Sequence, residues 1–179
     1  MAETKPNVEV LFSSADISTR NTELAEEISK DMGEDILVIA VLKGSFVFAA
    51  DLIRALHYAG VRPQIDFMAL SSYGDKTISS GTVVITRDIV DTVKGRKVLL
   101  IDDILESGRT MEFAANELLE RGAAEVKTCL MLDKKEKRIV DFEADFVGFD
   151  CPDLFVIGYG LDFAHYYREL PYIGHIVDE

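Results

Sequence analysis

Two adjacent carboxylates, Asp102 and Asp103, stand just ahead of a third acid, Glu106, which opens the short polar run Glu106-Ser-Gly-Arg-Thr110. Paired acids can attract a divalent cation or hold hydroxyl groups. A small loop with Ser107, Gly108 and Thr110 can bring hydroxyls and backbone N–H groups to a phosphate. The loop is not of the Walker type, because Gly-x-x-x-x-Gly-Lys spacing is absent and acids stand where those glycines would be. Spacing alone leaves a second reading open, a solvated turn between a strand and a helix.

The elements that must position these groups are legible on either side. Val98 to Ile101 is an unbroken apolar run, the pattern of a strand buried on both faces at the centre of a parallel sheet. The acid pair is expected to carry its carboxyl end out of the core and into water. Beyond the loop, Met111, Ala114, Ala115 and Leu118 keep helical spacing, so the dipole of that helix would favour an anion at the loop. A second unit of the same kind precedes it. Asp35 to Leu42 reads as another doubly buried strand and Lys43-Gly-Ser45 as its loop. A helix follows with Phe46, Ala49, Ala50, Ile53 and Leu56 on one face. Lys43 suits either a surface turn or a loop whose backbone approaches an anion. The second is favoured because ligands of open α/β sheets gather at these strand ends.

The remaining segments fit the same architecture. Val8 to Phe12 suggests a short strand. Asp16 or Ser18 is expected to cap a helix that Gly33 stops. Gln64–Leu70 and Gly81–Asp88 read as strands flanking the polar stretch Ser71–Ser80, which suits a hairpin tip or a mobile lid. Val126–Leu132 predicts a further strand. The charge run Asp133–Arg138 after it has the composition of a solvated loop. Phe146 to Phe149 and Phe155 to Gly160 suggest short strands, ending in Leu161 and Asp162. Alternating strands and helices define an α/β fold of doubly wound type, as a single domain over 1–179.

Composition sets limits on function. The chain has 179 residues, 48% of them hydrophobic, and a net charge of −13. That charge argues against a nucleic-acid or anionic-membrane surface. An anionic substrate would need a divalent metal as intermediary. No apolar run reaches the ~18 residues of a membrane span, and the N-terminal Met-Ala-Glu-Thr-Lys-Pro lacks the order of a signal peptide. Cys129 and Cys151 form no C-x-x-C pair, and Cys129 reads as a small core residue. A cytoplasmic protein is expected. His57, His165 and His175 show no zinc-like spacing, and His57 is expected on a helix.

The string from Val98 through Thr110 resembles the motif by which phosphoribosyltransferases bind phosphoribosyl pyrophosphate (PRPP). The chain as a whole, from about Val8 to Gly174, is similar to the hypoxanthine (hypoxanthine–guanine) phosphoribosyltransferases of purine salvage. Four blocks carry the likeness: Leu42-Lys-Gly-Ser45, Ser72-Tyr73, Asp102–Thr110, and Asp145-Phe-Val-Gly-Phe through Val156–Asp162. The resemblance implies a mostly parallel Rossmann-like sheet flanked by helices, with a small hood from the terminal segments and a mobile lid loop. It implies that Glu106, Ser107, Gly108, Arg109 and Thr110 hold the 5-phosphate, and that Asp102 and Asp103 hold the ribose hydroxyls and a Mg²⁺. Lys43, Gly44 and Arg168 would contact pyrophosphate, with Asp162 on a second Mg²⁺, and Ser72 and Tyr73 would close over the reacting centre. On the purine side, Lys134 would donate to the 6-oxo group and Phe155 would stack on the ring. Val156 would offer backbone contacts, while Ile104 and Asp162 complete the pocket.

Transfer of the phosphoribosyl group to N9 of a 6-oxopurine, giving IMP or GMP and pyrophosphate, is the implied reaction. Glu106 would be the base for the N7 proton, where many relatives carry Asp. A homo-oligomer, dimer or tetramer, is implied as well. The alternative is a non-catalytic regulator sensing PRPP or nucleotide. Such a regulator would normally add a basic nucleic-acid surface, which this acidic chain lacks. A transferase for adenine would want an acceptor opposite the 6-amino group, whereas Lys134 is a donor.

Overall fold

A computed structural model describes residues 7–75 and 78–177, with the side chains of all of these except 72–81. The elements in chain order are β1 (Asn7–Phe12), α1 (Ser14–Met32), β2 (Leu37–Leu42), α2 (Phe46–Tyr58), β3 (Gln64–Asp75) and β4 (Ile78–Arg87). They continue with β5 (Lys97–Leu105), α3 (Arg109–Glu120), β6 (Glu125–Asp133), β7 (Phe146–Asp150), β8 (Val156–Ile157) and β9 (Ile173–Val177). Six strands form one sheet in the order β4-β3-β2-β5-β6-β7, and β1-β9-β8 form a small second sheet. Within the large sheet only the β3–β4 pair is antiparallel. The mostly parallel sheet with a hood from both ends of the chain agrees with the sequence reading.

The apolar runs in β2 and β5 exist because both sheet faces are covered. Val38, Ala40, Leu99 and Ile101 point to one face, where Leu24 and Ile28 of α1 and Phe48 and Leu52 of α2 close over them. Leu37, Ile39, Val98 and Leu100 point to the other, against Met111, Ala114 and Leu118 of α3. Alternation of side chains along a strand sends neighbours to opposite faces, so a strand buried twice must be apolar throughout. Cys129 and Cys151 are buried and free, and burial pushes the Cys129 thiol well above its ordinary range.

Several boundaries differ from expectation, each for a local reason. Helix α1 is capped by Ser13, not by Asp16 or Ser18. The Asp16 carboxylate accepts from the Ser13 amide and the Ser13 hydroxyl accepts from the Asp16 amide, a reciprocal capping box. In α2 the buried face runs Phe48, Ala49, Leu52 and Leu56, while Phe46 in the first turn and Ala50 are exposed. The polar stretch after Leu70 is no loose tip over most of its length, because β3 extends to Asp75 and β4 starts at Ile78. The backbones of Ser72 and Tyr73 are paired opposite Val83 and Thr82. Residues 76 and 77 of that stretch lie outside the described residues. Strand β9 has no counterpart in the sequence reading, since its Gly174 and His175 interrupt the apolar pattern.

A buried polar network ties the C-terminal region to the helices. The Tyr159 hydroxyl donates to Asp51 Oδ2 at 2.7 Å and accepts from Asn21 Nδ2 at 2.8 Å, while the Tyr159 amide donates to the Leu170 carbonyl at 2.9 Å. Burial and the adjacent Asp51 carboxylate push the phenol pKa up, so the hydroxyl keeps its proton. Tyr159→Phe removes this hydroxyl and strips the buried Asn21 of an acceptor. The expected loss is about 1–3 kcal/mol of stability, read as a lower denaturant midpoint with unchanged slope.

Candidate active site

Numbering only the parallel strands β2, β3, β5, β6 and β7 from one to five, their spatial order is 2-1-3-4-5. The order reverses between β2 and β5. In open α/β sheets a ligand crevice forms at such a point, outside the carboxyl ends of the strands. The loop after β2 carries Lys43 and Gly44, and the end of β5 carries Asp102 and Asp103. Topology therefore brings together the two units singled out in the sequence.

The acid pair does not leave the sheet as expected. Strand β5 runs on to Leu105, with Asp102 paired opposite Leu130 and Ile104 opposite Leu132 of β6. The apolar Ile104 and Leu105 keep the ladder going, so both acids stay half-buried. Burial and repulsion between neighbouring carboxylates push the Asp102 pKa well up, and burial pushes Asp103 up as well. The Asp103 amide donates to Asp102 Oδ1 at 2.8 Å. Directly beyond the pair lies a cavity of about 220 Å³ lined by both acids and by Glu106, Ser107, Gly108 and Thr110. Gly108, the N-cap of α3, has φ +85°, a left-handed conformation that glycine adopts without cost. The helix thus starts at the cavity wall, with first-turn N–H groups that have no partner inside the helix. Arg109 lines the neighbouring groove with Val83 and Phe113, not this cavity.

A second wall comes from the loop after β2. A Cβ on Gly44 would collide with the Asp103 carboxylate, and a Cβ on Gly160 would collide with the Gly44 carbonyl. Both glycines are thus required by close approach, and three chain segments meet there. Arg168 extends this wall. Its Nη1 donates to the Gly160 carbonyl at 2.5 Å, and its Nη2 lies 2.8 Å from Asp162 Oδ1. The other Asp162 oxygen accepts from the His165 amide at 2.9 Å. The exposed Lys43 follows a cis peptide bond from Leu42.

The charge run after β6 is not a solvated loop at its near end. Asp133 and Lys134 are buried, and Asp133 is paired with Arg138. The Lys134 amide donates to the Leu105 carbonyl at 2.9 Å, and Lys134 Nζ lies 2.8 Å from Glu106 Oε1. The lysine is 7% exposed and the glutamate 50%. A largely desolvated ammonium and a carboxylate open to the crevice thus stand side by side. Phe155 exposes 58% of its surface and meets Phe163 edge to face at 5.6 Å. Val156 is buried in β8, opposite His175, and Ile104 is half-buried, paired opposite Leu132 of β6.

Glu106, Ser107, Gly108 and Thr110 therefore gather with Asp102 and Asp103 on one cavity. Lys134 joins through Glu106, Gly44 through Asp103, and Asp162 with Arg168 through Gly160. Ser72 and Tyr73 lie on the β3 arm, with their side chains outside the described residues. Sequence reasoning missed Gly160, whose signal was the Gly-Tyr-Gly spacing, and Arg138, which looked like any cation in a charged run.

Comparison with known proteins agrees with this geometry. Residues 9–164 match the family model of the phosphoribosyl transferase domain. A hypoxanthine-guanine phosphoribosyltransferase of Aquifex aeolicus is 45% identical over 96% of both chains, and that of Dictyostelium discoideum is 40% identical over 96% of both. A crystal structure of a hypoxanthine-guanine phosphoribosyltransferase from Bacillus anthracis superposes with a TM-score of 0.89 at 42% identity, covering 97% of this chain and 100% of that one. With its crevice at the strand-order reversal and its acid pair leading into a small polar loop, the chain belongs to the phosphoribosyl transferase family.

Proposed function

We propose that the protein is a hypoxanthine-type phosphoribosyltransferase, transferring the 5-phosphoribosyl group of PRPP to N9 of a 6-oxopurine. The observation that carries this reading is the Lys134–Glu106 pair, 2.8 Å apart. A 6-oxopurine with a proton on N7 presents an acceptor, O6, beside a donor, N7–H. An ammonium next to a carboxylate is the complement of that edge. Adenine would set its 6-amino donor against the lysine. An ammonium has three donors, so Lys134 serves O6 without releasing Glu106. The exposed face of Phe155 supplies a surface for the purine ring.

The other residues divide the PRPP molecule between them. Ser107, Gly108, Thr110 and the start of α3 receive the 5-phosphate, and Arg109 adds positive charge from the adjoining groove. Asp102 and Asp103 take the ribose hydroxyls. Lys43, the Gly44 backbone and Arg168 receive pyrophosphate, with Ser72 and Tyr73 closing from the β3 arm. Glu106 then accepts the N7 proton as the new bond forms at N9.

The donor set suits magnesium. No group of three or more metal-ligating side chains occurs among the described residues, so a fully protein-made site is lacking there. Mg²⁺ is usually held by one or two carboxylates, with substrate phosphates and water completing its six ligands. Asp102 and Asp103 fit that role, since burial raises the pKa of both carboxyls and a neighbouring carboxylate adds to it at Asp102, a cost of ionisation that a cation would offset. Asp162, already held by Arg168, would hold a second ion from the pyrophosphate side. When bound, magnesium supplies neutralisation of the charge that grows on departing pyrophosphate.

The test of this reading is a panel of hypoxanthine, guanine, xanthine and adenine assayed with PRPP and Mg²⁺. Turnover of 6-oxopurines with adenine left unused supports it. PRPP binding with no turnover of any base would favour the regulator.

The protein also acts as a homo-oligomer in this reading. A groove of about 730 Å³ runs between α1, α2 and the Leu170–Pro171 turn, with Phe46 and Tyr58 on its rim. These are 45% and 89% exposed, and a second copy would cover them. Analytical ultracentrifugation is expected to show a dimer or tetramer, with a monomer at micromolar concentration counting against it.

A further inference from the structure

Both carbonyls at the start of the phosphate loop are held from one side by the segment that follows Lys134. Arg138 Nη1 donates to the Glu106 carbonyl at 2.5 Å. The Ile139 and Val140 amides donate to the Ser107 carbonyl at 3.0 and 3.2 Å. In a planar trans peptide the C=O and the next residue's N–H point in opposite directions. Pinning the Glu106 carbonyl outward therefore turns the Ser107 N–H inward, and pinning the Ser107 carbonyl does the same for the Gly108 N–H. Inward here is toward the 220 Å³ cavity lined by these residues and the acid pair.

The clamp is made from groups held out of water. Arg138 is largely buried, its other terminal nitrogen is paired with Asp133, and Asp133 is 1% exposed. The fit against Gly108 is close, since a Cβ there would lie 2.8 Å from Val140 Cγ2 and 3.1 Å from Arg138 Cδ. A planar guanidinium holds two acceptors in fixed relative positions, which a lysine cannot copy. Asp133 ends the strand that delivers Lys134. The pair Asp133–Arg138 thus joins the purine side of the crevice to its phosphate side.

We propose that Arg138, backed by Asp133, is a positioning residue that aims the Ser107 and Gly108 N–H groups at the 5-phosphate of the substrate. The inference rests on the phosphoribosyl-transfer reading above. Its signature is a defect confined to ligands that carry the phosphate.

The test compares wild type with Arg138→Met, which keeps the apolar stem and removes the guanidinium. PRPP KM and IMP affinity by calorimetry are measured beside base KM and inosine inhibition. Arg138→Met should raise the PRPP KM and weaken IMP at least tenfold, with base KM and inosine changed less than threefold. Because that substitution alone would leave the Asp133 carboxylate buried without its partner, Asp133→Asn combined with Arg138→Met provides a folded version without that charge, and it should show the same selective loss. PRPP and IMP constants within twofold of wild type in a folded variant would overturn the proposal. So would a loss shared equally by base, inosine and PRPP, which would assign Arg138 to folding alone. Absence of turnover in the wild type would instead bring down the phosphoribosyl-transfer reading.

Discussion

Glu106→Ala should lower kcat by about 10²-fold, the lower end of the range for a lost proton acceptor, with the PRPP KM within a few-fold of wild type. The separation follows from where the residue's groups lie. Its carbonyl belongs to the phosphate loop and survives the change, whereas its carboxylate faces the crevice and is lost. The substitution also leaves Lys134, at 7% exposure, without its counter-ion, so base binding should weaken too. Lys134→Ala should act mainly on the base. A charge-assisted hydrogen bond of ~1.5–3 kcal/mol corresponds to roughly a ten- to hundredfold higher KM for a 6-oxopurine. Glu106→Asp should keep substantial activity, because the shorter acid still accepts at the same edge. Glu106→Gln then distinguishes two roles for the carboxylate. A collapse in kcat identifies proton acceptance, and activity within a few-fold of wild type assigns it a hydrogen bond to N7. If Glu106→Ala itself turns over at the wild-type rate, the residue has no part in the chemistry.

Chelation of divalent cations should abolish turnover, and magnesium with pyrophosphate should raise the melting temperature by an amount that grows with pH. Both follow from Asp102 and Asp103: burial raises the pKa of each, and at Asp102 the neighbouring carboxylate raises it further. An unfolded aspartate titrates at ~3.9. Above that value the folded pair binds more protons than the same residues unfolded, so its contribution to stability falls as pH rises through the raised values. The pair's contribution is thus fully present in acid and lost toward neutral pH. A cation that neutralises the ionised pair restores what is lost, and a ligand at a hundred times its Kd adds ~2.7 kcal/mol. Thermal scans at acid and neutral pH, with and without magnesium pyrophosphate, measure this. A pH-independent increment, or full turnover in excess chelator, would remove the acid pair from metal binding.

The central sheet and the small polar loop between β5 and α3 were legible in the sequence because doubly buried strands must be apolar throughout and such loops stand out against them. The acid pair was located correctly but its setting was not. A carboxylate looks like the end of a strand, and only the ladder from Asp102 through Leu105 to β6 reveals that the strand continues. The Asp133–Arg138 run misled for a related reason. Charged residues in a row predict solvation, yet partners distant in sequence, Glu106 among them, keep Lys134 and Arg138 out of water. Strand β9 escaped notice because its glycine and histidine break the β pattern, and pairing with β1 and β8 makes it a strand. What stayed hidden in the sheet end and in β9 was a contact between segments remote along the chain, whereas the Ser13 cap of α1 was a local contact that Asp16 and Ser18 obscured.

The hood carries a consequence for the order in which the molecule assembles. Strand β1, at residues 7–12, has β9, at 173–177, as its partner, and β8, which follows Phe155, pairs with the same β9. During synthesis the first strand emerges early and waits without a neighbour until almost all the rest of the described chain has been made. The parallel sheet shares no strand pairing with β1, so its ladder can form on the way, before Phe12 stacks on Phe149 of β7. The wall that presents Phe155 and Val156 cannot, since closing so long a stretch is an entropic cost met only once β9 is in place. A nascent chain would thus gain the Glu106–Thr110 loop well before the wall bearing Phe155 and Val156, and the proposed site would be complete only with the closing strand.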